Sequence, residues 1–219
     1  MQPVLVLFLA TVVSQASSVA KTDTTKPDAK RNESLRKELL ERVKEDQVAR
    51  RKMIDLLKKS PTKDPAEPKK QLDTPEVKKL GEIDKKNTAW MKQVVKKHGW
   101  PGKSLVGTDG ANAAWLLVQH ADRDREFQKE CLKLIEAAFK RKEVTGQELA
   151  YLTDRVLVGE KKKQIYGTQF VLKSGRYVPQ PIEDEANVDR RRNEMGLQSF
   201  AEYAKALNQL YVPNASGKR

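Results

Sequence analysis

The sequence predicts a mainly α-helical single domain of about six or seven helices, with one small β-hairpin near its C-terminal third. Apolar residues recur at helical spacing in most segments between residues 33 and 212. One segment, QIYGTQFVL, changes to the two-residue period of a β-strand and precedes a Ser-Gly turn. A chain of 219 residues is long enough for one such domain and a processed leader.

The composition is strongly basic, with 43 Lys and Arg residues against 30 Asp and Glu residues and a net charge of +13. These residues are spread along the whole chain, which favours a solvated helical surface over a nucleic-acid site. Binding to a polyanion is the alternative, and sequence-specific nucleic-acid binding is not expected. The single cysteine, Cys131, has no partner for an internal disulfide and is expected to be an inert core thiol.

Residues 1–20 have the features of a signal peptide. Their apolar run, Val4–Ala10 with an extension to Val13, is shorter than the ~20 residues that span a bilayer. Ser18–Ala20 fits a small-x-Ala cleavage site, so we expect an exported protein, periplasmic or secreted, that begins at Lys21 and has no transmembrane span. The region before the run has no Lys or Arg, which leaves an uncleaved anchor as the alternative. Residues 21–32 are polar and predict a disordered spacer.

Two long helices are predicted on either side of a proline-rich insertion, residues 60–75. The first runs from Ser34 to about Lys59, and the second starts at Thr74-Pro75 and ends at His98. Antiparallel packing would join the polar gaps in their apolar faces into one hydrogen-bonded layer, either a structural network or the floor of a pocket. The gaps consist of Asp46, Gln47 and Arg50 in the first helix and Asp84 and Asn87 in the second.

The rest of the chain completes the helical domain, and residues 213–219 are expected to form a loose tail. The pattern predicts helix three from Thr108–Gly110 to Gln119, helix four from Asp122 or Asp124, helix five over Glu148–Val158, a hairpin over Gln164–Val178, a helix over Glu185–Met195 and a last helix capped by Ser199 and Glu202.

The stretch from His98 to Asp122 holds both histidines, two of the three tryptophans and four of the eleven glycines. Such clustering indicates either a site or a well-capped helix junction. Gly102-Lys103-Ser104 is not a phosphate-binding P-loop, because Lys97 stands where that motif needs glycine and no strand precedes it.

We expect the site to be centred on His120 and Asp122, with Asp154 as a further catalytic candidate. His120 would be a general base or a ligand, and Asp122 or Asp154 would fix its tautomer. Arg155 would anchor an anionic group. The other ligand-binding candidates are Gln119, Tyr166, Gln169 and His98. In a tight hairpin, His98 would lie at the opposite end of helix three from His120. The loop after His98 could instead carry helix three back and bring the two histidines together. A satisfied polar junction between helices is the alternative.

The sequence has no catalytic triad, no His-Glu-x-x-His motif and no cysteine ligand set, so we expect no metal site and leave the cofactor unknown. Whether the protein is an enzyme is open. The partner would be an unknown small ligand or an envelope protein. The residues thus fit an exported small-ligand-binding protein or enzyme, a non-catalytic interaction module of the envelope, or a basic polyanion-binding protein.

Several short motifs together resemble a bacterial family of unknown function. They are HGWP, QHAD, LTDRV and YGTQF, followed by PIEDEANVDRRRNEMGL, and the likeness covers about Glu33 to Leu207. The resemblance implies a mostly helical domain, often exported, and it supplies no reaction.

Overall fold

The computed structural model describes residues 31–59, 74–173 and 176–211. The predicted leader, tail and Ser174-Gly175 turn lie outside the described residues, as do most of the predicted spacer and most of the proline-rich segment. In chain order the elements are α1 Glu33–Lys59, α2 Pro75–His98, α3 Lys103–Gln119, α4 Arg125–Lys140, α5 Gly146–Gly159, β1 Phe170–Lys173, β2 Arg176–Pro179, a 3₁₀ turn Glu185–Asn187, α6 Val188–Glu194 and α7 Phe200–Tyr211. Seven α-helices and one hairpin in the described residues confirm the predicted fold class.

Helix α3 lies at the centre of the domain and is buried on nearly every side. It packs against α1, α2, α4 and α5. Its sequence is rich in alanine and aliphatic residues around its whole circumference, which is the pattern of a fully buried helix. Trp115 fills the middle of the core, and its Nε1 donates a hydrogen bond to the carbonyl of Glu148, at 2.9 Å.

Local capping signals explain where several helices begin and end. The Thr74 hydroxyl accepts a hydrogen bond from the Val77 amide, and Pro75 occupies the first turn of α2. Gly99 ends α2 with a φ of 68°, which favours glycine. Thr145 and Glu148 form a reciprocal capping box at the start of α5.

Helix α3 consists of two helical stretches that meet at a kink. Gly107, where φ is 73° and ψ is 170°, is non-helical and separates residues 103–106 from residues 108–119, so the second stretch begins where the sequence predicted helix three, near Thr108–Gly110. Only glycine adopts this backbone region readily, so the kink depends on that residue. The connection between α2 and α3 is consequently short, and α3 runs back alongside α2.

The hairpin is shorter than predicted and packs against the last helix. Strands β1 and β2 are antiparallel, with Phe170 opposite Pro179. Asn208 of α7 accepts a hydrogen bond from the Tyr177 amide, at 2.9 Å, and donates one to the Tyr177 carbonyl, at 3.0 Å. The predicted first strand residues, 164–169, form a loop instead, with a single parallel bridge between Gln164 and Ile182. In the described part of the chain, no helix combines the length and apolar character that a membrane crossing requires.

Replacing Gly107 by alanine should lower the free energy of unfolding by about 1–3 kcal/mol, because a side chain is strained at this φ and ψ. Chemical denaturation measures the change. Ser104→Ala, an exposed substitution three residues earlier, serves as the control and should change stability by less than about 0.5 kcal/mol. Equal stabilities of the two variants would contradict the assigned role of Gly107.

Candidate functional site

The polar gaps of α1 and α2 meet, and the end of α3 lies against them. Arg50 of α1 donates a hydrogen bond through Nη2 to the Asp84 carboxylate of α2. Its Nε lies 3.0 Å from Oδ1 of Asp46, one turn earlier in α1. His120, the residue that caps α3, places Nδ1 3.0 Å from the Arg50 Nε and 3.1 Å from the Asp46 Oδ1. We call these four residues the His120 cluster.

The contacts of Nδ1 determine which nitrogen of His120 carries the proton. The Arg50 Nε–H is within hydrogen-bonding distance of Nδ1 and would by itself favour a bare Nδ1, but the same N–H also lies within 3.0–3.2 Å of both Asp46 oxygens. A bare Nδ1 would place its lone pair against the ionised Asp46 carboxylate, whose oxygens lie 3.0 and 3.1 Å away. We infer that Nδ1 is protonated and donates to Asp46, while the Arg50 Nε also donates to Asp46. The proton-accepting nitrogen is then Nε2, which forms no hydrogen bond within the described part of the chain.

Burial and neighbouring charges control the ionisation of the cluster. Burial, assisted by the positive charge of Arg50, lowers the pKa of His120 to about 4, so the imidazole is neutral at pH 7. Burial also raises the pKa of Asp84 to about 6, because Asp46 and Asp122 add to the effect and Arg50 only partly opposes it. Burial pushes the pKa of Asp46 upwards too, but His120 and Arg50 outweigh it and hold this pKa below its ordinary value.

A second ion pair lies beside the cluster. Arg155 of α5 donates to both oxygens of Asp122, at 2.8 and 2.5 Å, in the two-bond geometry typical of Arg–carboxylate pairs. Arg155 is 5% exposed, whereas the Asp122 side chain is 37% exposed. Burial alone would raise the pKa of Asp122, but Arg155 lowers it to about 2. Asp122 is therefore ionised and held at the rim of the site.

Gln128 braces the turn that carries His120 and Asp122. Its fully buried Nε2 lies 3.2 Å from the carbonyls of Val118 and Gln119 and 3.2 Å from Oδ1 of Asp122. These contacts satisfy carbonyls that the end of α3 leaves without helical partners. The sequence signal for this role is weak, because it consists only of an amide directly after Phe127 in α4.

Asp154 has a different position from the one predicted. It accepts hydrogen bonds from the backbone amides of Ile165, Tyr166 and Thr168, at 2.7–3.2 Å, and from the Thr168 hydroxyl at 2.9 Å. We expected Asp122 or Asp154 to fix the tautomer of His120, but the carboxylate in contact with Nδ1 is Asp46. Burial raises the pKa of Asp154, although its four donors oppose the shift. Asp154 thus folds the loop after α5.

Tyr166 and Gln169 belong to this same loop. The Tyr166 amide binds Asp154, and its carbonyl accepts a hydrogen bond from Arg192 at 2.6 Å. Gln169 donates through Nε2 to the Thr168 hydroxyl, at 2.8 Å. The contacts of Tyr166 and Gln169 within the described residues therefore stabilise the loop that follows α5.

His98 and Gln119 complete the set of predicted site residues. His98 ends α2 next to the start of α3, whereas His120 caps the other end. From Thr108 to Gln119 a rise of about 1.5 Å per residue separates the two ends by roughly 17 Å. Gln119 is buried beside His120, and its Nε2 has no hydrogen-bond partner in the described residues.

Asp46, Asp84 and His120 also have the types and spacing of metal ligands. Each offers one ligand atom, and the three atoms lie within 4.8 Å of one another. The Arg50 guanidinium contacts all three residues and so supplies the positive charge among them. A divalent cation could bind these atoms only if Arg50 moved away.

Comparison with known proteins supplies a family and no activity. A model described as a family of unknown function, DUF6624, matches residues 33–214. The chain belongs to this family. No curated protein and no solved structure matches the chain. The match agrees with the resemblance to an uncharacterised family and covers every residue of the His120 cluster.

The arrangement is suited to proton transfer. A neutral imidazole held by a buried carboxylate, with its other nitrogen unbonded, is the arrangement of a general base. Asp84 adds a carboxyl group with a pKa of about 6, which exchanges protons near neutral pH. Among the residues around this site, the sequence pattern predicted His120, Asp122 and Arg155 as site residues. Asp46, Arg50 and Asp84 were predicted only as members of the polar layer between the first two helices. Their position in otherwise apolar helix faces was the feature that could have identified them as site residues.

Replacing Asp154 by asparagine should lower the free energy of unfolding by about 1–3 kcal/mol, since the new NH₂ group would face amide donors. Thermal and chemical denaturation measure the loss. Asp55→Asn, on an exposed part of α1, removes the same charge and should change stability by less than about 0.5 kcal/mol. An unchanged stability for Asp154→Asn would contradict the loop-folding role.

The raised pKa of Asp84 predicts a pH-dependent stability difference between the wild type and Asp84→Asn. Protonated Asp84 favours the folded state, so its contribution is complete below the ordinary pKa of 3.8 and is lost as the pH rises through about 6. Relative to the variant, the wild type should gain about 2–3 kcal/mol between pH 7 and pH 4. His120 is present in both proteins, so its own titration largely cancels. Denaturant unfolding at the two pH values checks this, and a constant difference would contradict it.

Proposed function

We propose that this protein is exported and binds a small polar molecule at the His120 cluster, where His120 acts as a general base. The observation that carries the proposal is the Asp46–His120 pair, in which Nδ1 is held and Nε2 is unbonded within the described residues. A purely structural histidine would be expected to satisfy both nitrogens.

The neighbours of His120 support each step of proton transfer. Asp46 keeps the lone pair on Nε2 and would stabilise the imidazolium that forms when a proton arrives. Arg50 keeps Asp46 ionised and fixes its orientation through two contacts, at 3.0 and 3.2 Å. Asp84 and the Asp122–Arg155 pair surround the imidazole with groups that can orient a polar ligand by hydrogen bonds.

The proposal of export is supported by the first twenty residues. They combine an apolar run too short for a bilayer with small residues before Lys21. The polar residues between that point and the start of α1 would then separate the processing site from the domain.

Binding should depend on His120 and not on His98. A panel of small polar metabolites should contain a compound that raises the melting temperature of the wild type, because a ligand that binds only the folded state stabilises it. His120→Gln and Asp46→Asn should lose most of this increase, whereas His98→Gln, the matched control, should retain it. Compounds that stabilise His120→Gln as strongly as the wild type would contradict the proposed site, as would a panel without any binder.

The leader makes a separate prediction. Intact-mass analysis of the protein recovered outside the cytoplasm should give a chain that begins at Lys21 or within a few residues of it. A chain that still begins at Met1 and needs detergent for extraction would show that the segment is an anchor.

A further inference from the structure

An exposed arginine, Arg123, lies at the rim of the His120 cluster. Arg123 is exposed and forms no ion pair or hydrogen bond within the described part of the chain. The acidic residues on either side of it have other partners. Asp122 binds Arg155, and Asp124 binds Lys92, at 2.5 Å, and caps α4. Within the described part of the chain, no protein group occupies the N–H donors of Arg123, so they can bind a solute.

Gly81 determines where this guanidinium lies. Gly81 is a buried residue in the second turn of α2, and a methyl group added to it would lie 2.8 Å from Nη2 and 3.0 Å from Nη1 of Arg123. The guanidinium thus rests against the bare backbone of α2. Glycine in a helix interior disfavours the helix relative to alanine, so its presence needs a compensating reason. Room for the Arg123 head group is such a reason.

This position is close to the reactive groups. Asp84 lies three residues after Gly81, on the same face of α2. Arg123 is three residues from His120 in a tight turn, in which the Asp124 amide donates to the Ala121 carbonyl at 2.9 Å. Three residues span at most about 11 Å. The Cα atoms of Arg123 and His120 are therefore at most about 11 Å apart, and the Arg123 guanidinium lies one turn of α2 from Asp84, a member of the His120 cluster.

We propose that Arg123, seated on Gly81, is the anchor for an anionic group, carboxylate or phosphate, of the small molecule that binds the His120 cluster. The guanidinium offers two parallel N–H groups, which match a pair of anionic oxygens. This assignment rests on the proposed function and adds the ligand's chemical class. Arg50 and Arg155 are unsuited to the role because each is already held by a carboxylate of the protein.

The test uses sodium phosphate and sodium acetate as probes at constant ionic strength. Both titrations are followed through the NMR signals of the arginine Nε–H groups and of the two histidine rings. At least one anion should shift the Arg123 and His120 signals saturably, and the stronger binder shows whether phosphate or carboxylate is preferred. Arg123→Gln should weaken that binding about tenfold or more, as expected for loss of a charge-assisted contact. Arg190→Gln removes an exposed arginine of α6 and should leave it unchanged.

Gly81→Ala separates binding from folding. Alanine favours the helix, and the added methyl group contacts only the movable end of Arg123, so the melting temperature should stay the same or rise. Anion binding should nevertheless fall several-fold, because the guanidinium is displaced. Equal affinity in the wild type and Arg123→Gln, or no saturable shift in the wild type, would overturn the assignment. Those results would leave the dependence of metabolite binding on His120 intact, so the two proposals fail separately.

Discussion

The contact of Arg50 with Asp46, Asp84 and His120 is the interaction on which the site depends. It joins α1 to α2 and to the end of α3 through one planar group. Without the guanidinium, two carboxylates and an imidazole would be left close together in a largely buried position, which costs several kcal/mol per uncompensated charge. The same contact keeps Asp46 ionised, and an ionised Asp46 in turn holds the proton of His120 on Nδ1. The structural and chemical roles of Arg50 are therefore inseparable.

The buried helix α3 explains how His120 reaches this layer. Because α3 is enclosed by four other helices, its last residue is delivered to the interior of the domain and not to the surface. The next residues turn back at once, since the Asp124 amide binds the Ala121 carbonyl. That turn exposes Asp122 and Arg123 while His120 stays buried. Gln128, on the following helix, holds the turn through the carbonyls of Val118 and Gln119.

Much of this arrangement was predictable from sequence, and the failures have physical causes. The helices, their caps at Thr74 and Thr145, and the meeting of two polar gaps followed from periodicity and local hydrogen bonding. The short helical stretch at residues 103–106 was missed because the segment is rich in glycine and Gly107 separates it from the rest of α3. The partner of His120 was misassigned because Asp46 is 74 residues away, and no local pattern selects it over the nearer Asp122. Asp154 looked like a site residue because a buried acid in an apolar helix has the same sequence signal whether it binds a ligand or the backbone.

The protonation of His120 tests the central claim most directly. Nitrogen NMR of the imidazole ring, with His98→Gln used to assign the two histidines, reports both the tautomer and the titration midpoint. We expect a proton on Nδ1, a bare Nε2 and a His120 pKa of about 4, lowered by burial and by the Arg50 charge. A proton on Nε2, or a midpoint at the ordinary histidine pKa of 6.5, would contradict it.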